Sequence, residues 1–338
     1  MKELELARAL ERFIGDRSPG RVSDLRPLAG GASRKIYFFQ LTLDGEPSPS
    51  RLVLRIDPGD GRMQHTERSE EFRVLEAARR ARVSVPRVHW VGSKEDGLGA
   101  AFMVMDFVEG EALGRRLLRD DDYGEARKVL PEQLARELAR IHAISLDDPG
   151  LAFLRRRAPE GGVALAEVER YRGLLALAGA GRPRPVLELA ARWLELNAPE
   201  VAQPRLVHGD FRVGNFLFDA GGLKAVLDWE LVHVGDAMED LGWLAVRTWR
   251  YGADSAAVGG LCSRERFHEL YARASGREVD AEAARYWELF GNFKWAVICI
   301  GQAASHRSGR RPDVELASLG RRVAEVEWEL LGLLAQGG

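Results

Sequence analysis

Leu206-Val207-His208-Gly209-Asp210-Phe211-Arg212-Val213-Gly214-Asn215 is the stretch on which the reading of this chain turns. An Asp and an Asn stand five positions apart, just after an apolar pair and a His-Gly. Further on comes Val226-Leu227-Asp228-Trp229-Glu230, where a second Asp closes a short apolar run. Three oxygen-bearing side chains in this order suit phosphoryl transfer. One carboxylate accepts the proton of an attacking hydroxyl, while the Asn and the second Asp hold Mg²⁺ on a triphosphate. Asp210 is therefore the candidate base. Asn215 offers a neutral carbonyl oxygen and Asp228 a charged one, and hard oxygens of this kind suit Mg²⁺. His208 reads as a brace of the loop. A single Asp or Asn in a loop ordinarily caps a helix or makes a turn; here the ordered combination carries the reading.

Working outward, Phe216–Phe218, the turn Asp219-Ala220-Gly221-Gly222 and Ala225–Leu227 predict a β-hairpin that returns Asp228 towards Asn215. Upstream, residues 3–14 carry an apolar helical stripe of Leu6, Ala7, Leu10, Phe13 and Ile14. Ile36–Leu43 and Arg51–Ile56 read as strands, the second with Leu52, Leu54 and Ile56 on one face and Val53 and Arg55 on the other. A helix over 68–82 and strands at Val88–Val91 and Ala101–Phe107 follow. Beyond Glu109-Gly110 long helical patterns take over: one starting at Pro131, one near 186–197, then 281–304 and 313–335. The expected fold is α+β and two-lobed. A small antiparallel β-rich lobe, residues 1–106, precedes a larger mainly helical lobe, residues 107–338, with a ligand cleft between them.

The motifs His208-Gly209-Asp210 through Asn215, Leu227-Asp228-Trp229-Glu230, and Gly235-Asp236 through Asp240-Leu241 resemble the aminoglycoside phosphotransferase-type kinase family. The wording Phe-Arg-Val-Gly-Asn and Asp-Trp-Glu is most similar to the branch whose kinase domains occur fused to acyl-CoA dehydrogenases. The resemblance spans roughly 20–330, with its specific motifs in 206–242. It implies a protein-kinase-like fold and ATP as the donor. It also gives meaning to three features of the first lobe. Gly30-Gly31-Ala32-Ser33 falls where the family carries its phosphate-covering loop, so Gly30, Gly31 and Ser33 become nucleotide contacts through backbone N–H groups and a hydroxyl. Arg55 occupies the position of the usual phosphate-holding Lys, and its fork is not equivalent to an ammonium. Glu71, phased beside Phe72 and Leu75, is expected to pair with Arg55 in preference to Glu70. The strand Phe102–Phe107 becomes the hinge, with Met105 and Phe107 beside the adenine.

Composition sets the outer bounds. At 338 residues the chain can bury a large core, and 46% hydrophobic with 30% charged residues is ordinary for a globular protein. Net charge is −2, without the basic excess of a nucleic-acid binder. No apolar run approaches the roughly 18 residues of a membrane span. Met1–Glu5 lacks a signal-peptide pattern, and Cys262 and Cys299 stand far apart, so a reducing cytoplasm is expected.

The expected partner is a small-molecule hydroxyl acceptor. The basic run Ser305–Arg311 and the mixed stretch Trp243–Arg250 read either as a solvated loop and ordinary helix packing or as a pocket for an anionic or CoA-linked hydroxy compound, and Glu230, Asp236, Glu239 and Asp240 set acids near the site on the other side. The rival acceptor is cationic, an aminoglycoside or choline-like molecule. A pseudokinase that binds nucleotide to regulate a partner is the reading from a different class, kept open by Arg55. Oligomeric state is not encoded in any pattern of this sequence.

Overall fold

A computed structural model describes residues 3–28, 35–57, 67–179 and 182–336. The chain opens on helix α1 (Glu3–Gly15), then strands β1 (Gly20–Pro27), β2 (Lys35–Leu43) and β3 (Ser50–Ile56), helix α2 (Arg68–Arg80), and strands β4 (Val88–Gly92) and β5 (Phe102–Asp106). The five strands form one antiparallel sheet in the order β1-β2-β3-β5-β4. Side-chain alternation gives it two uses. Leu52, Leu54, Ile56, Phe102 and Val104 pack with Leu6, Leu10 and Phe13 of α1 into one core. Met103, Met105 and Val88 turn the other way, onto α2 and the helical lobe.

The helical lobe contains α3 (Gly114–Arg119), α4 (Gly124–His142), α5 (Ala152–Arg157), α6 (Val163–Ala178) and α7 (Pro185–Leu196). After them come β6 (Arg205–Val207), the hairpin β7 (Phe216–Asp219) and β8 (Gly222–Val226), and β9 (His233–Gly235), which pairs with β6. Helices α8 (Ala237–Ala245), α9 (Arg264–Ser275), α10 (Ala281–Arg307), α11 (Val314–Leu319) and α12 (Arg322–Ala335) complete it. Val226 N–H donates to the Ser84 carbonyl at 2.7 Å, so the end of the hairpin is pinned to the segment after α2.

The two-lobed α+β expectation holds. Four local readings change. Strand β1 had no apolar signal: it is an edge strand whose one buried residue is Val22, so its sequence is mostly polar. Strand β9 is three residues long, too short for periodicity to register. Pro131 lies inside α4, because Ala126 and Leu130 upstream are fully buried and their packing carries the helix through the proline. The expected helix 313–335 is broken between α11 and α12 near Gly320. Both cysteines are free thiols, and burial pushes Cys262 up to about 11 and Cys299 up to about 12. Among the described residues no helix is long and apolar enough to cross a membrane.

Candidate active site

The loop between β6 and β7 carries Asp210 and Asn215. Its shape is imposed locally by Gly209 at φ +77°, where an added Cβ would stand 2.4 Å from the Leu231 carbonyl oxygen. It is imposed globally by two buried charges. Asp240 on α8 accepts the backbone N–H groups of His208 at 2.8 Å and Gly209 at 2.9 Å. Lys294 on α10 donates to the Gly209 carbonyl at 2.7 Å and to Glu239 at 3.1 Å. Burial alone would raise the Asp240 carboxyl, but His142 at 3.0 Å and the loop amides outweigh it and hold it below the usual range.

His208 is fully buried and braces the loop. Its Nδ1 accepts from the Asp210 N–H at 3.2 Å, and its Nε2 therefore donates to the Leu227 carbonyl at 3.0 Å. Burial lowers its affinity for a second proton, in keeping with the neutral tautomer these partners require. The Leu227 N–H in turn donates to the Asn215 carbonyl at 2.8 Å. The loop and the residue before Asp228 are thus one bonded unit. Asp228 itself has a left-handed backbone, φ 61° and ψ 63°, unusual for a non-glycine residue and a common mark of functional strain.

The Asp210 carboxylate is held at both oxygens. Oδ1 accepts from Trp243 Nε1 at 2.9 Å and Arg212 Nε at 3.1 Å; Oδ2 accepts from Asn215 Nδ2. Asn215 Nδ2 also donates to the Asp210 carbonyl at 3.0 Å. With its nitrogen so committed, Asn215 presents Oδ1 as the atom for a cation. Arg212 stacks on Trp249, its guanidinium carbon 4.3 Å from the ring centroid.

Across the cleft, Arg55 leaves β3 on the face away from the α1 core and is 7% exposed. Its Nη1 donates to Glu71 Oε1 at 2.9 Å, and its Nη2 stands 3.4 Å from Asp228 Oδ1. Glu70, the competing carboxylate, turns elsewhere and is forked by Arg157. Glu71 is shared: Arg68, one turn earlier on α2, donates to its other oxygen and also pairs with Asp57. Two buried nitrogens of Arg55, Nε and Nη2, have no hydrogen-bond acceptor among the described residues. Buried donors of this kind fit an anionic ligand such as a phosphate. The oxygen pair of Asn215 and Asp228 fits Mg²⁺.

Gly30, Gly31 and Ser33 lie outside the described residues. Met105 is buried and paired with Val53 and Val88, and Phe107 packs edge-on against Phe38 with Arg51 over its ring. Arg247 is paired with Asp254 and Glu329 at the surface, while Arg250 is buried against Glu288 and the carbonyls of Ala245 and Ala257. Neither is available to an acceptor without breaking those contacts. The run Ser305–Arg311 ends α10 in local hydrogen bonds, Ser308 to Ser305 and Arg310 to Ser308.

Residues 24–285 match the model of the phosphotransferase enzyme family. The chain belongs to that family. That family is one of phosphotransferases. Among curated relatives it is 27% identical over 339 residues to acyl-CoA dehydrogenase family member 10 of Mus musculus, covering 96% of this chain and 30% of that protein. It is 26% identical over 349 residues to family member 11 of Gallus gallus, covering 97% of this chain and 43% of that protein. The chain therefore spans less than half the length of these relatives. The Plasmodium vivax ethanolamine kinase superposes with TM-score 0.62 at 14% identity, over 90% of this chain and 82% of that one. The gentamicin complex of APH(2")-IIa superposes with TM-score 0.57 at 17% identity, over 98% and 96%. At these identities the superpositions speak to fold.

Four contributors carry no signal in the sequence: Lys294, Trp243 as a donor to Asp210, Arg212 and Arg68. Each of the four acts through a contact that the fold creates, and of them only Arg212 sits inside the motif itself. Asp240 belongs to the motif Gly235-Asp236 through Asp240-Leu241, but its hold on the loop amides is not visible in the sequence.

Proposed function

We propose that this phosphotransferase uses ATP and Mg²⁺ to phosphorylate a hydroxyl on an anionic small molecule, CoA-linked hydroxy compounds included. The observation that carries the reading is the Asp210 carboxylate, fixed by Asn215, Arg212 and Trp243 on a loop bonded to the segment of Asp228. Bound Mg·ATP would supply the phosphoryl group and the charge neutralisation of its transfer. Arg55, backed by Glu71, would hold phosphate oxygens; Asn215 Oδ1 and Asp228 would hold the metal. Asp210 would orient the acceptor hydroxyl and take its proton. No residue needs to form a covalent intermediate, since positioning and charge are what this transfer requires.

Charge supports the anionic acceptor over the cationic one. Cations of the chain itself already cover the aromatic faces around the base: Arg212 on Trp249 and Lys294 on Trp243, the latter at 4.8 Å. A quaternary ammonium or aminoglycoside would meet those charges in place of an open cage. The names of the relatives, acyl-CoA dehydrogenases, favour a CoA-linked acceptor. The deciding experiment is an ADP-release screen of hydroxy acids, hydroxyacyl-CoA thioesters, choline and aminoglycosides, with and without Mg²⁺. Release should require Mg²⁺ and an acid or thioester. Turnover confined to choline or aminoglycosides would overturn the acceptor class. In Asp210→Asn, turnover should fall by roughly 10²- to 10⁴-fold while nucleotide still binds.

A further inference from the structure

Four of the nine large apolar side chains that stand exposed among the described residues sit on α7 and α12: Trp328 at 73%, Leu196 at 68%, Leu189 at 53% and Leu331 at 43%. The two helices pack on each other, and both lie on α10. Arg184, at the start of α7, faces Glu327 at 3.9 Å. Near the other end of α7 the Leu194 carbonyl accepts from Tyr286, and the neighbouring Arg285 donates to the Leu333 carbonyl. Helices α7 and α12 therefore run side by side in the same direction, and Leu189 falls level with Leu331.

Both helices are apolar on two faces. On α12, Val323, Val326, Leu330 and Leu333 are buried in the core. Ala324, Trp328, Leu331 and Ala335, spaced four, three and four apart, make a second stripe that is exposed. On α7, Leu187, Ala190, Ala191 and Leu194 are buried, while Leu189 and Leu196, two turns apart, are exposed. A helix with one side in water carries a single apolar stripe, and one that is apolar all round is a covered helix. The outer face of α12 also carries a recess. A Cβ at Gly332, one turn beyond Trp328, would meet nothing within 4 Å outside its own helix backbone. Glycine inside a helix weakens it, and the open space above Gly332 gives it a packing use.

We propose that this face pairs with the same face of a second copy of the chain, α12 against α12 in antiparallel sense about a two-fold axis near Leu330, with Trp328 of each copy seated over Gly332 of the other. A knob and a hole one turn apart on one helix face suit a two-fold contact, in which each residue meets its complement twice. Size agrees: the four side chains expose roughly 500 Å² per copy, more than half of the ~800 Å² that each partner contributes to a standard interface. Charge agrees too. The rim carries both signs, Arg192 and Arg321 with Glu325 and Glu327, so two copies meet without a field of one sign. Nothing in this pairing rests on the kinase reading.

Sedimentation equilibrium on the whole chain tests it. At roughly 50 µM the wild type should be a dimer. Trp328→Glu should weaken that dimer roughly a hundredfold. Gly332→Leu should weaken it roughly tenfold by filling the recess, although it favours the helix. Val314→Glu, a change at an exposed residue of α11, should leave it intact. Urea midpoints of the variants should stay at or above that of the wild type once corrected for dissociation, which separates a lost contact from a lost fold. A wild type that stays monomeric overturns the proposal, and binding of that monomer to phosphatidylcholine vesicles would make the face a membrane contact instead. A dimer unmoved by both Trp328→Glu and Gly332→Leu, or one lost in Val314→Glu, places the contact elsewhere and also overturns it. Loss in Trp328→Glu with Gly332→Leu unmoved overturns the seating of Trp328 over Gly332.

Discussion

The Arg55 cluster, proposed to hold phosphate, and the Asp210 loop, proposed to carry the base, are built on opposite plans. Arg55, Glu71 and Arg68 hold one another by side-chain ion pairs on two neighbouring elements, β3 and α2, and Glu71 has two arginines where one would suffice. The base loop is held by its backbone. Its amides and its Gly209 carbonyl are bound by single buried charges on α8 and α10, far along the chain. The first plan should tolerate loss of a member and the second should not. A loop fixed by its backbone does not need the Asp210 and Asn215 side chains to anchor it to α8 or α10.

The sharpest way to break the contrast is Lys294→Met. It leaves the Gly209 carbonyl and Glu239 Oε1 buried without their donor, with only His233 still on the other Glu239 oxygen, and should cost about 3–5 kcal/mol, read from urea unfolding. A loss below that of an exposed ion pair would show the loop to be anchored elsewhere. On the other side, Arg55→Met should leave the fold nearly as stable, because Arg68 still neutralises Glu71. It should instead weaken Mg·ADP by roughly ten- to a hundredfold, the worth of about 1.5–3 kcal/mol for a bond to a charged group. Equal affinity in Arg55→Met and wild type would remove Arg55 from the nucleotide site.

Trp243→Phe probes the join between the two plans. It keeps the ring beneath Lys294 and deletes only the N–H on Asp210 Oδ1. Turnover should fall roughly tenfold, with the KM for ATP unchanged; a fall in nucleotide affinity alone would contradict its role. The smallest effect is one of pH. Burial opposes charge on His233, but Glu239 and Glu167 outweigh it and raise the group from 6.5 to about 9. The folded state thus holds a proton that the unfolded chain releases. Its stabilisation is complete below about pH 6.5 and is lost as pH rises through about 9. Urea midpoints between pH 7 and 10 should fall more steeply for the wild type than for His233→Gln. Parallel curves would show that His233 carries no such charge.

Much of the site is legible in the sequence. The alternation in Leu52–Ile56 puts Arg55 on the face away from the α1 core, and helical phasing chooses Glu71 over Glu70. The hairpin spacing brings the Asp228 segment back to Asn215, where Leu227 bonds it. Strands β1 and β9 leave no such trace, because an edge strand needs little apolar sequence and a three-residue strand has no period to detect. Gly30, Gly31 and Ser33 remain expectations of the sequence, outside the described residues.

By itself the sequence determined the order of the chemical groups, the α+β division of the chain and the face each strand presents. Those follow from spacing and period, which are local properties. Only the tertiary structure decided what holds Asp210 in place and what charge surrounds it. Lys294 and Asp240 reach the loop because helix packing buries them beside it, and a buried charge takes whatever partner the fold brings within reach. No local pattern encodes that meeting.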